Sequence, residues 1–529
     1  MVGGVTARNP APGAAAALAS LAFAAACAAF AWQPALATFA DDSVSYLVMA
    51  QVFSPYAPAS GAVAAAFPRE AVYPPLFPAL LALCGAAHNI AWAHALTALL
   101  LAGALPFVYL LGRRWLGGGW MAAAAVCCIA LLPALWIGAK GILSEPLFCL
   151  LLVATLAALE QRGSEGGNAR WPAALLMIAL AMTRAAALPM LAAHALWAAT
   201  RRAAARARMR EAAPALAGLA AYALWMLLRP AHVGDGYARV LGERGQELAA
   251  GAGGLLGALW TSVARQANAL LEGWAGSLII FWVEGRPLRL VLACAAGAFA
   301  LGGLALRLAR GKADGWMIAA YLATLLAWPF QEQMERFLLP VVPVLVLYAL
   351  LAAGECARAL RRPAVLGQGL LALLLLALSV PAMGFIYQRA RSPGREAWIV
   401  DWYRTPDLSR ARVRARVQLD LLDDMAAIRT LTRPQDRVMW VAPGYIALLA
   451  DRRGVAAPSP ALAPERYREA VAASGADYVF LSRYHPRDTV DETAWLAGVR
   501  ALARDLRSVH AGAREGGTAV SSLLLKAAP

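Results

Sequence analysis

The sequence predicts a mainly α-helical, polytopic membrane protein with about eleven transmembrane helices and a small C-terminal α/β domain on the outer, periplasmic side. Of its 529 residues, 61% are apolar and only 15% are charged, whereas an ordinary soluble protein carries about 25% charged residues. Apolar runs alternate with short polar loops up to about residue 387, and a more charged segment follows. This composition excludes disordered, collagenous and disulfide-framework proteins.

The apolar runs define the predicted spans. Several are shorter than the roughly 20 residues needed to cross a bilayer, and the pair near 171–200 is interpreted as two short or tilted helices. The apolar segment 76–88 is predicted to be re-entrant or interfacial. The predicted spans are residues 14–37, 90–111, 119–137, 143–159, 171–188, 185–200, 212–229, 288–306, 317–330, 338–354 and 364–386.

Basic loops orient these spans. The net charge of +16 is therefore interpreted as topogenic, and no nucleic-acid partner is expected. Because only Arg8 precedes the first apolar run, that run is interpreted as a retained helix with a cytoplasmic N-terminus. One alternating topology then places every basic cluster inside and leaves four regions outside, at about 38–75, 138–144, 230–287 and after 387. The inside loops are 112–118, 160–170, 201–211, 307–314 and 355–363.

The C-terminal segment predicts a separate domain, so the chain divides into residues 1–386 and 387–529. Residues 436–442 and 476–482 have the pattern of buried strands, and helical periodicity lies near 461–474 and 492–508. This alternation predicts an α/β domain with a partly parallel sheet and its own core. It contains no Gly-rich phosphate loop, so a nucleotide-binding function is weakly supported.

Two adjacent acids, Asp41 and Asp42, directly follow the first span on the outer side. The apolar residues Val44, Leu47 and Val48 then predict an amphipathic helix lying at the membrane interface. An aspartate here is explained either as a helix cap or as a catalytic carboxylate that takes a proton from an incoming hydroxyl.

Two further outer motifs also have both a structural and a functional explanation. The prolines after Tyr73 predict a rigid, extended turn that holds the first outer loop in one place. In the turn after the third predicted span, Ser144, Glu145 and Pro146 suit a helix start. Lys140 adds a positive charge near the outer interface.

Arg184 and Arg336 complete the outer set of charges. Arg184 interrupts an apolar stretch, where an arginine indicates either function or a turn from which it reaches the headgroups. Arg336 could bind a phosphate bidentately, or it could pair with Glu332 or Glu335. With Lys140, these cations suit transfer of a group from an anionic lipid, because they would neutralise the phosphate leaving group.

These motifs resemble those of the bacterial GT-C membrane glycosyltransferases, the class that includes the protein O-mannosyltransferases and the lipid A aminoarabinose transferases. The resemblance covers most of residues 14–354, and the order of the motifs along the chain is its most specific feature. The motifs are Asp42-x-x-x-Tyr46, Tyr73-Pro-Pro-Leu-Phe-Pro78, Leu143-Ser-Glu-Pro-Leu-Phe148, Thr183-Arg184 and Glu335-Arg-Phe-Leu-Leu-Pro340.

The resemblance implies an inverting enzyme of the bacterial inner membrane that moves a sugar from a polyprenyl-phosphate donor to an acceptor hydroxyl. Asp42 best matches the essential acid, with Asp41 as the second choice, and a divalent ion near these two acids stays an open possibility. The acceptor would be an envelope glycan, lipid or protein. The donor phosphate would contact Arg184, Arg336 and Lys140, and the positioning residues would be Tyr46, Tyr73, Glu145 and Glu335.

Two other classes of protein fit parts of the pattern. A transporter or lipid flippase would need polar residues deep in the bilayer, often with broken helices and internal repeats, whereas the notable charges here lie at the outer ends of spans. A non-catalytic membrane scaffold would use the C-terminal domain to bind a partner, and its aspartate pair would only cap a helix.

Overall fold

A computed structural model describes residues 10–36, 41–162, 170–229, 254–280, 287–328, 331–457, 464–482, 507–513 and 520–527. The protein is mainly helical, with many apolar helices and a small mixed sheet near the C-terminus. The predicted fold class is therefore confirmed.

Each predicted span overlaps a helix of one bundle. The helix Val342–Ala359 lies at its centre, because residues 341–353 are all buried. The bundle consists of Ala11–Ala31, Ile90–Ala102, Ala104–Trp115, Gly119–Ala130, Pro133–Ala139, Glu145–Arg162, Arg170–Ala181, Ala187–Thr200, Ala205–Leu228, Gly254–Ile279, Pro287–Ala309, Ala313–Ala327, Val342–Ala359 and Ala364–Ala390.

Fewer helices can cross a membrane alone than the number of predicted spans. Among the described residues, six helices are long and apolar enough, or seven if Gly119–Ala130 and Pro133–Ala139, which meet at a 54° bend, count as one. Three apolar helices are only 12, 14 and 15 residues long, about 18–23 Å against a hydrocarbon thickness of about 30 Å.

Two of the regions predicted to lie outside contain more helix than expected. The first contains Asp41–Phe53 and Gly61–Glu70, and the third contains the 26-residue helix Gly254–Ile279. The segment 76–88, predicted to be re-entrant or interfacial, contains the short helix Leu76–Leu83. The prediction of an amphipathic interfacial helix after Asp42 is wrong, because every residue from 43 to 50 is buried. Protein covers all faces of this helix, so its apolar residues do not face lipid.

The C-terminal domain has the predicted partly parallel sheet. Its strands are β1 Arg437–Trp440, β2 Arg453–Ala456, β3 Tyr478–Ser482, β4 Arg507–Ala513 and β5 Val520–Lys526. They lie in the order β2-β1-β3-β5-β4. Strand β1 pairs in parallel with β2 and β3, and β5 pairs antiparallel with β3 and β4. The predicted helix at 492–508 falls mostly outside the described residues, and its last two residues begin β4.

One long helix, Leu408–Leu431, and several short ones lie around this sheet and before the central bundle helix. The predicted helical segment near 461–474 is present from residue 464. These elements are Gln331–Gln333, Met334–Leu338, Arg395–Trp398, Asp401–Arg404, Leu408–Leu431, Pro443–Tyr445, Ile446–Ala450 and Pro464–Ser474.

The C-terminal domain shares its larger core with the helix Asp41–Phe53. Val44 and Tyr46 belong to the same buried cluster as Met425, Trp440 and Phe480. A smaller cluster, which includes Met439 and Val479 of the sheet and Val471 of the helix Pro464–Ser474, lies within the C-terminal domain. The domain therefore lies directly against the helix that begins at the two candidate acids.

Two buried ion networks mark opposite ends of the helix Glu145–Arg162. Near its C-terminal end, Arg307 pairs with Glu160 and with Asp314, whose oxygens lie 2.7 and 2.8 Å from the guanidinium nitrogens. Tyr348 donates to Asp314 at 2.6 Å. Since Glu145 and Glu160 are 15 residues apart, the networks are separated by about 22 Å along the axis. Only the one at Glu145 contains the predicted outer charges.

Candidate active site

Asp42 is the second residue of the helix Asp41–Phe53, and its side chain is 21% exposed. One carboxylate oxygen accepts a hydrogen bond from the Tyr73 hydroxyl, and the other accepts one from the Arg336 guanidinium. Burial alone would raise the pKa of Asp42. The charge of Arg336, these hydrogen bonds and the charge of Arg184 outweigh it, so the pKa lies below its ordinary value.

Glu145 is the buried centre of the site. It is the first residue of its helix, and its side chain is 1% exposed. Arg336 donates to one of its oxygens, and a nitrogen of Arg184 lies 2.8 Å from the other. The four side chains therefore contact one another in the order Arg184, Glu145, Arg336, Asp42, so their charges alternate and sum to zero. We call these four residues the charge relay. Pairing offsets the cost of burying each charge.

Ser144 connects this relay to the aromatic residues. Its hydroxyl accepts from Arg184 at 2.9 Å and lies 2.8 Å from the Tyr46 hydroxyl. The rings of Tyr46 and Tyr73 are 4.9 Å apart, so both tyrosines support the pocket from the same side. Sequence reasoning explained Ser144 only as a helix cap, and the capping position gave no sign that it joins the arginine to the tyrosine.

A turn and a short helix position the two arginines. Arg184 lies between the short helices Arg170–Ala181 and Ala187–Thr200, so the expected turn is present and also carries a functional candidate. Arg336 lies in the short helix Met334–Leu338. The Leu76 amide donates to the Met182 carbonyl at 3.0 Å, which ties the first of these turns to the segment after Tyr73.

Arg336 makes different ion pairs from those suggested by its neighbours in sequence. It contacts Asp42 and Glu145, whereas the Glu335 carboxylate lies 3.9 Å from Arg404. The side chains of Glu332 and Asp41 lie outside the described residues, so the role predicted for Asp41 stays a prediction. Local sequence could not reveal the pairing with Asp42, because 294 positions separate the two residues.

Lys140 belongs to a different cluster from the charge relay. Its ammonium donates to the Phe30 carbonyl at 3.1 Å and to the Gln33 side chain at 2.8 Å, and it lies 4.5 Å from the centre of the Phe30 ring. His94 contacts Gln33 at 3.5 Å and the Ala35 carbonyl at 3.0 Å. Lys140 therefore fixes the segment leading from the first span toward Asp42, whereas sequence reasoning placed it at the donor phosphate.

We expect Lys140 to make folding stability depend on pH, because burial lowers its pKa to about 7. Its unfolded pKa is about 10.4, so between these values the unfolded chain binds more protons and stability rises with pH. From pH 7 to pH 9 this contribution is about 2 kcal/mol. The variant Lys140→Met should lose that rise in apparent melting temperature.

The exposed Lys312 provides the matched control for this measurement. The variant Lys312→Met should keep the wild-type dependence of melting temperature on pH. Equal slopes for the wild type and Lys140→Met would contradict the assignment.

A divalent metal does not fit the described residues of the site. Both oxygens of Asp42 are already hydrogen-bonded, and the neighbouring groups are guanidiniums, which repel a cation. Within the described part of the chain, no group of three histidine, cysteine, aspartate or glutamate side chains is placed to hold an ion. We therefore derive no step through a metal.

Comparison with known proteins gives a likeness of fold. No family model matches the sequence, and no curated protein matches it. The crystal structure of ArnT from Cupriavidus metallidurans in the apo state is similar over 96% of this chain and 97% of that chain, with a TM-score of 0.50 and 12% identity. The same ArnT bound to undecaprenyl phosphate gives a TM-score of 0.47 at 14% identity, with the same coverage.

The oligosaccharyltransferase of Archaeoglobus fulgidus, in complex with Zn and sulfate, is also similar over 92% of this chain and 70% of that chain. Its TM-score is 0.43, at 14% identity. The protein thus has a fold similar to that of ArnT over nearly the whole of both chains, as the sequence motifs indicated. At these identities the likeness concerns the fold, and the chemistry has to be argued from the residues.

Proposed function

We propose that the protein is an inverting glycosyltransferase of the bacterial inner membrane, acting at the periplasmic face on a polyprenyl-phosphate sugar. The observation that carries this proposal is the charge relay, in which two arginines and a partly exposed aspartate meet at one end of the bundle. Guanidiniums suit a phosphate leaving group, and a carboxylate suits activation of a hydroxyl.

In the resting site, Arg336 donates to both Glu145 and Asp42. An incoming donor phosphate would replace Asp42 on the guanidinium, while Glu145 keeps both arginines in place. The released Asp42 carboxylate would take the proton of the acceptor hydroxyl. That oxygen would attack the anomeric carbon opposite the bond to the phosphate, which gives inversion. Arg184 and Arg336 would stabilise the charge that develops on the phosphate.

Lipid-phosphate binding tests this function without requiring the sugar to be known. The variants Arg336→Gln and Arg184→Gln should each bind undecaprenyl phosphate at least about 10-fold more weakly than the wild type, since a charged hydrogen bond contributes about 1.5–3 kcal/mol. Binding to the purified protein in nanodiscs can be measured by the quenching of tryptophan fluorescence.

Arg404 supplies a matched control for this experiment, because its side chain is 38% exposed and contacts only the fringe of the site through Glu335. The variant Arg404→Gln should bind the lipid as the wild type does. Wild-type affinity in both relay variants would refute the proposed phosphate site.

The orientation also follows from the proposal. A cysteine placed at residue 42 should react with a membrane-impermeant maleimide added to intact spheroplasts. If residue 42 were labelled only after the membrane is broken, the site would lie on the cytoplasmic side, and the proposed periplasmic reaction would be contradicted.

A further inference from the structure

The helix Met334–Leu338, which carries Arg336, is only five residues long. A helix of this length is not stable by itself, because its first turn costs more conformational entropy than one hydrogen bond returns. The position of the Arg336 guanidinium between Asp42 and Glu145 therefore depends on what packs against this helix. Two contacts, one on each side of Arg336 in the chain, hold its backbone.

The first contact is made by Gly273 of the helix Gly254–Ile279. A β-carbon added at Gly273 would lie 3.0 Å from the Glu335 amide nitrogen and 3.1 Å from the Met334 carbonyl carbon, closer than the usual contact distance of about 3.5–4.0 Å. The two backbones can approach this closely because glycine has no side chain. Glycine is otherwise unfavourable inside a helix, and this approach explains its presence.

The neighbouring Trp274 anchors this contact to the bundle. Its buried indole donates to the Ala293 carbonyl at 2.9 Å, which ties the helix Gly254–Ile279 to the helix Pro287–Ala309. The hydrogen bond lies one residue from Gly273 in the chain. The surface that Gly273 presents to the short helix is therefore fixed.

The second contact is a hydrogen bond from the buried Tyr321 of the helix Ala313–Ala327. Its hydroxyl donates to the Phe337 carbonyl at 2.6 Å, which has no partner within so short a helix. The ring of Tyr321 also stacks on Phe148, with ring centres 6.2 Å apart. Phe148 lies three residues after Glu145, so Tyr321 links the two helices whose side chains pair in the charge relay.

We propose that Gly273 and Tyr321 are positioning residues, which fix the backbone on either side of Arg336 and so hold its guanidinium where the donor phosphate binds. Both act through Arg336. This inference rests on the proposed phosphate site. It gives the third outer region a role in that site, although its sequence offered no candidate residue.

Gly273→Ala should weaken the binding of undecaprenyl phosphate by about 3-fold, because the added methyl group shifts the backbone by a few tenths of an ångström, and a misplacement of about 1 Å costs about 100-fold. Tyr321→Phe should weaken binding by about 3-fold or more, because the Phe337 carbonyl loses its donor. Quenching of tryptophan fluorescence in nanodiscs measures the affinity, and the melting temperature is recorded on the same samples.

Matched controls separate positioning from a general loss of packing. Gly276 lies one turn further along the same helix, and a β-carbon there would lie 3.5 Å from the Glu335 carboxyl carbon, an ordinary contact. Tyr348→Phe removes another buried hydrogen bond, the 2.6 Å contact with Asp314 in the other ion network. Tyr348→Phe should lower the melting temperature, but both it and Gly276→Ala should bind the lipid as the wild type does.

Combination with Arg336→Gln gives a measurement that a purely structural role would not change. In the Arg336→Gln background, Gly273→Ala and Tyr321→Phe should weaken binding no further, because the group that they position is absent. Equal losses with and without Arg336, or wild-type affinity in both single variants, would overturn the positioning role. Wild-type affinity of Arg336→Gln itself would instead contradict the proposed phosphate site.

Discussion

Asp42→Asn should reduce sugar transfer by at least about 100-fold, because a positioned general base typically contributes a factor of 10²–10⁴. The amide keeps the size of the side chain but cannot accept the acceptor proton. The variant should still bind undecaprenyl phosphate, and with higher affinity than the wild type, because its amide competes less strongly for Arg336. Transfer assays and lipid-binding titrations on the same preparation separate these two effects.

The pH dependence of transfer gives a second check on Asp42. Its pKa is held below the ordinary value by Arg336, Tyr73 and Arg184 despite burial. The carboxylate is therefore ionised at neutral pH, and its ion pair is lost only as the pH falls through this lowered value. The kcat/KM of the wild type, which reports the free enzyme, should thus show no loss from Asp42 between pH 5 and pH 8.

Asp401→Asn is the matched control, because this aspartate lies in the C-terminal segment and accepts from Gln418 at 2.8 Å. It should transfer sugar at the wild-type rate. Full activity of Asp42→Asn in a folded protein would remove the mechanism. If lipid affinity were unchanged in Asp42→Asn, Asp42 could still be the general base, but it would not compete with the phosphate for Arg336.

Glu145→Gln should destabilise the protein by about 3–5 kcal/mol, the typical cost of removing one partner from a buried ion pair. Glu145 is the only carboxylate of the charge relay that contacts both arginines, and it is buried. Its neutralisation leaves Arg184 and Arg336 with excess positive charge. We expect a clear fall in apparent melting temperature and weaker binding of undecaprenyl phosphate, because the guanidiniums lose their fixed positions.

Glu355 offers a close control, since it also lies between two arginines. Its oxygens are 2.5 Å from Arg310 and 2.8 Å from Arg358, but its side chain is 25% exposed. Exposed pairs contribute about 0–1 kcal/mol, so Glu355→Gln should change the melting temperature little. If Glu145→Gln and Glu355→Gln lowered the melting temperature equally, burial would not explain the destabilisation caused by Glu145→Gln.

The contrast between Asp42→Asn and Glu145→Gln is informative because each removes one negative charge from the same network. A simple electrostatic attraction for phosphate would be strengthened by both substitutions. The relay predicts opposite changes in lipid affinity, because Asp42 competes with the phosphate while Glu145 holds the arginines that bind it.

Much of the site could be predicted from the sequence because its charges interrupt apolar runs, where an unpaired charge is costly. Asp42, Glu145, Arg184 and Arg336 were each visible for that reason, and the basic loops placed them on one side. Which of them pair was not predictable, since the contacts join residues far apart in the chain. Lys140 met the same criterion but belongs to another cluster.

The fold was predicted in class but not in detail. Hydropathy identified the bundle helices because it depends on local composition. It failed for the helix Asp41–Phe53, whose burial on all sides depends on a domain almost 400 residues later in the chain. The helix Gly254–Ile279 was overlooked for the related reason that polar residues such as Arg265 and Gln266 interrupt its apolar pattern.

The core that joins the first outer helix to the last strands has a consequence for biosynthesis. Val44 packs in the same cluster as Leu524, a residue near the end of the chain. During synthesis the helix that carries Asp42 is translated long before the strands that cover it. The surroundings of Asp42 are therefore complete only when the ribosome has nearly finished the chain.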